Sequence, residues 1–221
     1  MRVIAVTGTD TGVGKTVVTA ALAAIHLSLG RTVAVVKPAQ TGVAPDEDGD
    51  LTEVRRLAGE VSLYEGVRLP DPLAPDTAAR VAGLPLPTLR EQQELVGSVA
   101  KEHDVTFVEG AGGLMVRLGE GYKLADIVAP YNARWVVVAR AGLGTLNHAE
   151  LTVASLLTGG QDVAGVVIGS WPEHPDLAEE QNYTDLPRVT GVPVLGRIPE
   201  NASALPVRVF RRGALNWVPN L

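Results

Sequence analysis

A glycine-rich loop between a hydrophobic run and a helical pattern constrains this chain more than any other feature. The loop reads Gly8-Thr-Asp-Thr-Gly-Val-Gly-Lys-Thr16, with the β-branched run Val3–Val6 before it and the largely apolar run Val17–Leu22 after it. Glycines let several backbone N–H groups converge on phosphate oxygens, and a helix N-terminus has a dipole that favours anions. This order of strand, loop and helix predicts a P-loop that binds a nucleotide.

Two side chains at the end of this loop have expected roles. Lys15 would reach the β- and γ-phosphates, and Thr16 would place a hydroxyl on Mg²⁺. The first glycine lies one position earlier than in the common P-loop pattern, because five residues separate Gly8 from Gly14. The alternative is a turn that only joins strand to helix. Gly-Lys-Thr at the helix start favours nucleotide binding.

Short β-branched runs recur along the chain, and most are apolar on both faces, as in strands that helices cover on both sides. They lie at 3–6, 32–36, 105–108, 135–138 and 163–168, with a weaker run at 192–195. Helical patterns at about 14–29, 88–102 and 145–158 are long enough for right-handed crossovers, and a helical tail is expected from about 205. The sequence predicts one α/β domain over residues 1–221, with a P-loop NTPase-like, mainly parallel sheet flanked by helices on both faces.

The segment 38–87 is rich in proline, glycine and acidic residues. We interpret it as an elaborated loop region with one helix beginning near Asp50, and not as a separate domain. Long ordered loops beside strand ends often form substrate sites in α/β enzymes, although a mobile surface excursion is the alternative.

Composition excludes several classes of function. The formal net charge of −6 gives no global support for binding nucleic acid or anionic lipid. No apolar run is long enough for a membrane span, and the N-terminal run is too short for a signal peptide. The chain has no cysteine, which is compatible with a reducing compartment. We expect a cytoplasmic protein with neither a nucleic-acid nor a membrane partner.

Acidic residues near two predicted elements are candidate metal ligands. Glu109 follows the run Val105–Val108, at the strand end where open parallel sheets bind ligands. A carboxylate there can hold Mg²⁺, or it can serve only in a turn. Asp50 precedes a helical pattern and has Glu53 three residues later. Spacing alone favours an N-cap for Asp50 over a metal ligand.

Lys37 stands at the end of the second predicted strand and begins the segment Lys37-Pro-Ala-Gln-Thr-Gly42. A cation there could neutralise a carbamate or a transferring phosphate, with the Thr41 hydroxyl nearby as a donor. The alternative is a solvated lysine at a strand exit. Spacing leaves the two interpretations even.

The P-loop, the Lys37–Gly42 segment, Val108-Glu-Gly-Ala-Gly-Gly113 and Gly144-Thr-Leu-Asn-His-Ala149 together resemble the dethiobiotin synthetase family. The resemblance spans nearly the whole chain. It implies that ATP, CO₂ and 7,8-diaminononanoate are converted to dethiobiotin, ADP and phosphate, through a carbamate and its phosphorylated anhydride, with Mg²⁺ as cofactor. These are the steps of a cyclo-ligase in biotin biosynthesis.

The resemblance also implies roles for individual residues. Lys15, Lys37 and Thr11 are expected to be catalytic, and Thr16, Asp50 and Glu109 to surround Mg²⁺. Substrate contacts are implied for Lys37, Thr41, Thr145, Leu146 and Asn147. The remaining implied residues contact the nucleotide: Gly12, Val13, Gly14, Lys15, Thr16, Val17, Asp50, Glu109, Gly110, Ala111, Gly112, Gly169, Ser170, Pro199, Glu200 and Asn201.

The segment Gly144–Asn147 precedes a predicted helix, so its N–H groups could receive an anion. In the family this region reaches the substrate carboxylate of a neighbouring subunit, which implies a homodimer with shared sites. Ordinary helix capping is the alternative.

The clearest departure from the family is Gly169, where many relatives have an asparagine that reads adenine. Selection of the base would then depend on backbone groups, on Ser170 or on the segment Pro199-Glu200-Asn201. ATP is the expected co-substrate, and CTP or another nucleoside triphosphate could replace it. Trp171 could stack on a base or anchor a loop.

A regulatory P-loop ATPase of the partitioning or cell-division type is the competing interpretation. Such proteins usually have a second lysine within the phosphate loop, and Asp10 takes that position here. The run Val207–Arg212 could be a basic membrane helix, but Gly213 and Pro219 favour a final helix docked on the sheet.

Overall fold

The structure is a computed structural model that describes residues 2–220. Its strands are β1 (Arg2–Gly8), β2 (Val33–Thr41), β3 (Ser62–Leu69), β4 (Val105–Gly113), β5 (Arg117–Gly119), β6 (Tyr122–Lys123), β7 (Arg134–Ala139), β8 (Asp162–Trp171) and β9 (Val194–Pro199). Its α-helices are α1 (Lys15–Ser28), α2 (Asp50–Ala58), α3 (Pro75–Ala82), α4 (Leu89–Glu102), α5 (Leu124–Val128), α6 (Thr145–Thr158), α7 (Leu177–Thr190) and α8 (Val207–Trp217).

Seven of the strands form one sheet in the order β3-β2-β4-β1-β7-β8-β9, and every neighbouring pair is parallel. Strands β5 and β6 form a separate small hairpin. Because the chain places β4 and β7 on opposite sides of β1, the carboxyl end of β1 opens into the crevice where such sheets bind ligands. The predicted fold class is confirmed.

Helices pack on both faces of the sheet because its strands are apolar on both sides. One hydrophobic cluster joins α1, α2 and α8 to the sheet through buried residues such as Leu22, Leu57 and Phe210. The other joins α4, α5, α6 and α7 through residues such as Ile127 and Leu186. The core therefore has two layers, with the sheet between them.

The interpretation of 38–87 as loop was wrong over much of its length. Strand β2 continues to Thr41, and the segment also contains β3 and α3. β3 is an edge strand whose residues are mostly half-buried and mix polar with apolar side chains. A search for fully apolar runs does not detect such a strand.

Helix α7 was not predicted, and the helix at the C-terminus was. α7 contains Pro187 and few buried residues, but Asp176 and Glu179 form a capping box at its start. α8 buries Phe210 and Ala214 and packs against α1 and α2, which confirms docking on the sheet. Within residues 2–220, no helix combines the length and apolar character that crossing a bilayer requires.

Candidate active site

The P-loop leaves the carboxyl end of β1 and is tied to the next strand. The N–H of Thr9 donates to the carbonyl of Val138 in β7, at 2.9 Å. Gly12 and Gly14 have φ angles of 73° and 94°, which a side chain would strain. Helix α1 begins directly afterwards without a side-chain cap, so its N-terminus faces the loop interior ready for an anion.

Lys15 is almost fully buried within this loop. Its ammonium donates to the carbonyl of Asp10, at 3.0 Å. Burial and the nearby charge of Lys37 lower the pKa of Lys15 to about 8. An ammonium held by a neutral carbonyl gains more from a phosphate oxygen, because hydrogen bonds between charged groups are stronger.

Neighbouring strands bring Lys37 and Glu109 together. Val36 of β2 and Val108 of β4 are paired in register, and the two charged residues follow immediately. The Lys37 ammonium lies 2.7 Å from Oε1 of Glu109 and 2.6 Å from Oδ2 of Asp50. It also donates to the carbonyl of Gly110, at 3.3 Å. Lys37 therefore bridges two carboxylates near the carboxyl ends of the strands.

Burial pushes the pKa of Lys37 down, but the charges of Glu109 and Asp50 and their hydrogen bonds outweigh it and raise the pKa. The ammonium therefore stays charged in the interior. A solvated lysine at a strand exit, the alternative for this residue, is not what the structure contains, because its side chain is 4% exposed.

Three oxygen-bearing side chains meet beside Lys37 and fit a magnesium ion. The Thr16 hydroxyl donates to Oε1 of Glu109 at 3.1 Å, and Asp50 approaches from α2. Oε2 of Glu109 is buried without a hydrogen-bond partner among the described residues, so a cation would satisfy it. Within residues 2–220 no group of three or more His, Cys, Asp or Glu side chains could hold a metal. Magnesium sites often use few protein ligands, with water and phosphate supplying the rest.

The N-cap interpretation of Asp50 was wrong. The N-cap residue of α2 is Gly49, no side chain caps that helix, and Glu53 pairs instead with Arg56. Asp50 lies at the first helical position, with its carboxylate turned to Lys37. The Asp50 carboxylate therefore forms an ion pair with Lys37 and does not cap α2.

A cavity of about 400 Å³ opens between the P-loop and the ends of β2 and β4. Most of its lining residues were predicted to belong to the site. They are Thr11, Gly12, Gly14, Lys15, Thr16, Val17, Lys37, Ala39, Gln40, Thr41, Asp50, Ala111 and Gly112. Glu109 and Gly110 lie behind this wall and are almost fully buried.

Gly169 supports the loop instead of lining this cavity. A Cβ added at Gly169 would lie 1.9 Å from the carbonyl oxygen of Val13, and one added at Gly14 would lie 2.7 Å from the oxygen of Gly169. β8 and the P-loop are therefore in direct backbone contact. An asparagine does not fit here without displacing the loop.

The other residues predicted to contact the base lie together, but outside the cavity lining. The N–H of Glu200 donates to the carbonyl of Trp171, and Ser170 is exposed beside it. Trp171 packs edge-on against Tyr183 and beneath the guanidinium of Arg197. This packing makes Trp171 an anchor between β8, α7 and β9. Pro199 and Asn201 flank Glu200 and are exposed.

The predicted residues at the start of α6 also lie outside the cavity. Gly144 has a φ angle of 91°, and α6 has no side-chain cap. Thr145 is fully buried and its hydroxyl has no partner among the described residues, whereas Asn147 is exposed. Within one chain, the start of α6 does not reach the P-loop cavity.

Sequence reasoning missed two positions that shape the site. Gln40 is buried, accepts a hydrogen bond from the N–H of Asp50 at 3.0 Å and donates to the carbonyl of Thr41 at 3.2 Å. Its place within Lys37–Gly42 was the available signal. Arg140 pairs with Asp10 of the P-loop at 2.5 Å, and nothing local in the sequence links these residues.

Comparison with known proteins gives close relatives over the whole chain. A family model described as an AAA domain matches residues 2–207. The ATP-dependent dethiobiotin synthetase BioD of Rhodococcus jostii is 54% identical, over 98% of this chain and 94% of that protein. The protein of the same name from Streptomyces coelicolor is 53% identical, over 99% of this chain and 92% of its own length.

Solved structures with a similar fold include ATPases of low sequence identity to this chain. The septum site-determining protein MinD from Pyrococcus horikoshii, in complex with Mg-ADP, has a TM-score of 0.61 and 19% identity, and covers 99% of this chain and 87% of its own. A ParA family ATPase from Chlorobium tepidum has a TM-score of 0.60 and 14% identity, over 97% of this chain and 90% of its own. At these identities the likeness concerns the fold alone.

Proposed function

The chain belongs to the family of ATP-dependent dethiobiotin synthetases, and from that membership we propose how its P-loop site closes the ureido ring of dethiobiotin. Membership makes it an ATP-dependent cyclo-ligase of biotin biosynthesis. The proposed substrates are 7,8-diaminononanoate, CO₂ and a nucleoside triphosphate. The observation that carries the proposal is the meeting of Lys15, Lys37 and Asp50 at one cavity, with Glu109 bound to Lys37 just behind its wall.

The proposed reaction has three steps. One amine of the diamine attacks CO₂ and loses a proton, which gives a carbamate. A carbamate oxygen then attacks the γ-phosphorus of ATP, the bond to ADP breaks, and a carbamic–phosphoric anhydride forms. Finally the second amine attacks the carbamate carbon, the carbon–oxygen bond to phosphate breaks, a proton is lost and the ring closes.

The residues of the chain contribute position and charge, and no covalent enzyme intermediate is required. Lys15 would bind the transferred phosphate, where its ammonium replaces the Asp10 carbonyl with a charged acceptor. Lys37, which lines the same cavity, would neutralise the carbamate. Thr11 and Thr41 line the same space and can orient the diamine. Fixed charge placed where negative charge develops lowers the barrier without reorganisation.

Mg²⁺ is the proposed cofactor, with Thr16, Asp50 and Glu109 around it. The unpartnered Oε2 of Glu109 and the oxygen character of all three side chains support this choice. When bound, the ion would neutralise charge on the phosphates during transfer.

ATP is the proposed co-substrate, with weak selection against CTP or another nucleoside triphosphate. At position 169 the chain has no side-chain amide to read the base, and the contact of Gly169 with Val13 leaves no space for one. Ser170 and the segment Pro199–Asn201 are the proposed base contacts, and they offer exposed backbone groups.

A homodimer is the proposed assembly, because the substrate contacts that the family implies at the start of α6 lie outside the cavity of their own chain. Large apolar side chains are exposed near this helix: Leu143 is 88% and Leu151 is 63% exposed. A second copy that covers them would bring the backbone N–H groups at the start of α6, at Thr145, Leu146 and Asn147, to the substrate carboxylate of the first. The cytoplasm, where ATP is abundant, is the proposed compartment.

The test is phosphate release by purified protein with Mg²⁺, bicarbonate and either ATP or CTP, with and without 7,8-diaminononanoate. We expect release that depends on the diamine and is matched by dethiobiotin in mass spectrometry. Lys37→Met should reduce the rate about 10²-fold or more, as loss of a charge-stabilising group does. Lys101→Met changes an exposed lysine of α4 and serves as the matched control.

Hydrolysis that ignores the diamine and yields no dethiobiotin would overturn this function and favour a nucleotide-switch ATPase. A sedimentation measurement tests the dimer separately. Mixing Lys37→Met protein with Asn147→Asp protein should restore activity if sites are shared between subunits, because one site then has both native residues. A monomer, or no restoration in a proven heterodimer, would contradict the shared site.

A further inference from the structure

A second cavity lies at the amino end of the sheet, opposite the P-loop. Its volume is about 410 Å³, which is in the range of small-molecule sites. It is bordered by the first residues of β1 and β7, the end of α1 and the end of α8. With strands of about six residues between the two openings, it lies roughly 20 Å from the nucleotide cavity.

The interior of this second cavity is apolar. Ile4, Val136 and Leu195 come from three different strands, and Ile25 and Val218 come from the helical side. All five side chains belong to the hydrophobic core and are at most 8% exposed, so the cavity reaches down to the core surface. An aliphatic chain would fit such a lining, and a purely polar ion would gain little from it.

The rim continues this apolar surface outward. Leu29 is 60% exposed and Leu215 is 47% exposed, and both line the cavity. Exposed leucines at the mouth of an apolar pocket are often covered by a bound molecule.

The charged side chains that line this cavity are all basic. Arg2, Arg31 and Arg134 line it, and none of its lining residues within 2–220 is acidic. This is unusual in a chain whose net charge is −6. Asp162 pairs only loosely with Arg134, at 3.6 Å, with both side chains more than half exposed. A small anion would therefore find two or three guanidinium groups at the mouth.

A buried histidine holds one of these arginines in place. Nδ1 of His26 lies 2.8 Å from a guanidinium nitrogen of Arg31 and must accept that hydrogen bond, because arginine can only donate. His26 itself is 3% exposed and packs edge-on against Phe107. Among residues 2–220, His26 is the only hydrogen-bond partner of the Arg31 guanidinium, so its other N–H groups can bind a planar carboxylate at two points.

We propose that this second cavity binds a medium-chain carboxylate, with the aliphatic chain against the core and the carboxylate on the arginines. The proposal goes beyond the catalytic function and does not depend on it. The second cavity would be an additional site for acids with an aliphatic chain, separate from the nucleotide cavity.

The probe is octanoate, and binding is measured as a shift in Tm and by calorimetry. Octanoate should raise the Tm in a concentration-dependent manner, since a ligand that binds only the native state stabilises it. Octylamine has the same chain with the opposite charge, and acetate has the charge without the chain. Neither should produce the shift. An equal response to octylamine, or to acetate, would overturn the proposal.

Variants locate the site. The double variant Arg2→Gln/Arg134→Gln should weaken octanoate binding at least tenfold, whereas Arg90→Gln on the exposed face of α4 should not change it. Lys15→Met should also leave it unchanged, which excludes binding at the P-loop. Loss of binding in Lys15→Met with retention in the arginine double variant would place octanoate in the catalytic cavity and sink the proposal.

Leu29→Glu is a further variant that should fold normally, because this side chain is mostly exposed. A carboxylate at the rim should abolish octanoate binding and allow octylamine to bind. Unchanged preference for octanoate in this variant would contradict the assignment even if the arginine variants failed to fold.

Discussion

The ammonium of Lys37 lies 2.7 Å from Oε1 of Glu109, and both side chains are at most 4% exposed. Their contact follows from the sheet, because each residue comes one position after the paired valines Val36 and Val108. Asp50 completes the bridge from α2. In this arrangement a lysine occupies the space between two carboxylates that would otherwise attract a metal ion.

Replacing Lys37 by methionine should therefore destabilise the protein in a metal-dependent way. Glu109 would be left buried without a counter-charge, and breaking a buried pair in this way costs about 3–5 kcal/mol of unfolding free energy. Mg²⁺ should restore more stability to the variant than to the parent, because the two carboxylates then have no competing cation. Urea unfolding in EDTA and in Mg²⁺ measures both effects.

Lys101→Met is again the control. Because this lysine is exposed, its replacement should change the unfolding free energy by no more than about 0.5 kcal/mol, in EDTA or in Mg²⁺. An equal response to Mg²⁺ in the parent and in Lys37→Met would show that the lysine does not compete with the ion.

The core of this site could be predicted because its residues follow apolar runs or the loop after one. Lys37 and Glu109 each come at the end of an apolar run, and Lys15 ends the glycine loop that follows the first run. Parallel strands bring such ends to one edge of the sheet. Asp50 was different. Its local spacing indicated a cap, and only the family resemblance indicated the site, because the contact with Lys37 joins α2 to β2 across a turn that spacing does not describe.

The pair formed by Asp10 and Arg140 should position the P-loop. Oδ1 of Asp10 accepts from the N–H of Thr11 at 2.7 Å, Oδ2 accepts from Arg140 at 2.5 Å, and the Asp10 carbonyl holds Lys15. We expect Asp10→Asn and Arg140→Gln each to weaken nucleotide binding about fivefold, since one hydrogen bond contributes about 1 kcal/mol. Stability should change less, because an exposed ion pair adds little.

A double-mutant cycle tests this coupling through the affinity for a fluorescent nucleotide. If the two residues act together, the double variant loses no more than either single variant. Arg117→Gln, another exposed arginine, is the control. Additive losses would mean that Arg140 does not act through Asp10.

Gly169 should tolerate no side chain, whatever its chemistry. A Cβ at this position would meet the backbone of Val13 at 1.9 Å, and backbone cannot move aside as a side chain does. Gly169→Ala and Gly169→Asn should therefore lose similar stability, about 1–3 kcal/mol, and both should bind nucleotide more weakly. Thermal unfolding and nucleotide titration measure this.

Ser170→Asn places the same amide one residue later, on an exposed side chain, and should fold normally. A gain of preference for ATP over CTP in Gly169→Asn, without the damage seen in Gly169→Ala, would contradict the steric account.

The parts of the fold that sequence reasoning missed lie at its margins. β3 is half-buried at one edge of the sheet, so its pattern resembles a surface segment. α7 covers the far side with only Asn182, Leu186 and Thr190 buried, and Pro187 interrupts its helical pattern. Apolar runs identify elements that are buried on all sides, and these two are not.

His26 should make stability depend on pH in the acid range. Burial, and then the charges of Arg31 and Arg2, lower its pKa from 6.5 to about 4. The folded state therefore binds fewer protons than the unfolded state between these values. The neutral His26 ring therefore contributes to the free energy of unfolding in full above pH 6.5. This contribution, about 3 kcal/mol in total, is lost as the pH falls toward 4.

His26→Gln removes this titration while keeping a side chain that can accept from Arg31. The variant should be less stable than the parent at pH 7.5 because packing against Phe107 is lost. The difference in unfolding free energy should then shrink as the pH falls to 4.5, since the parent alone must take up this proton on unfolding. Urea unfolding across this range measures the difference, with His174→Gln, an exposed histidine, as the control. A difference that stays constant from pH 7.5 to 4.5 would show that His26 has the same proton affinity in both states, and that burial does not hold its ring neutral.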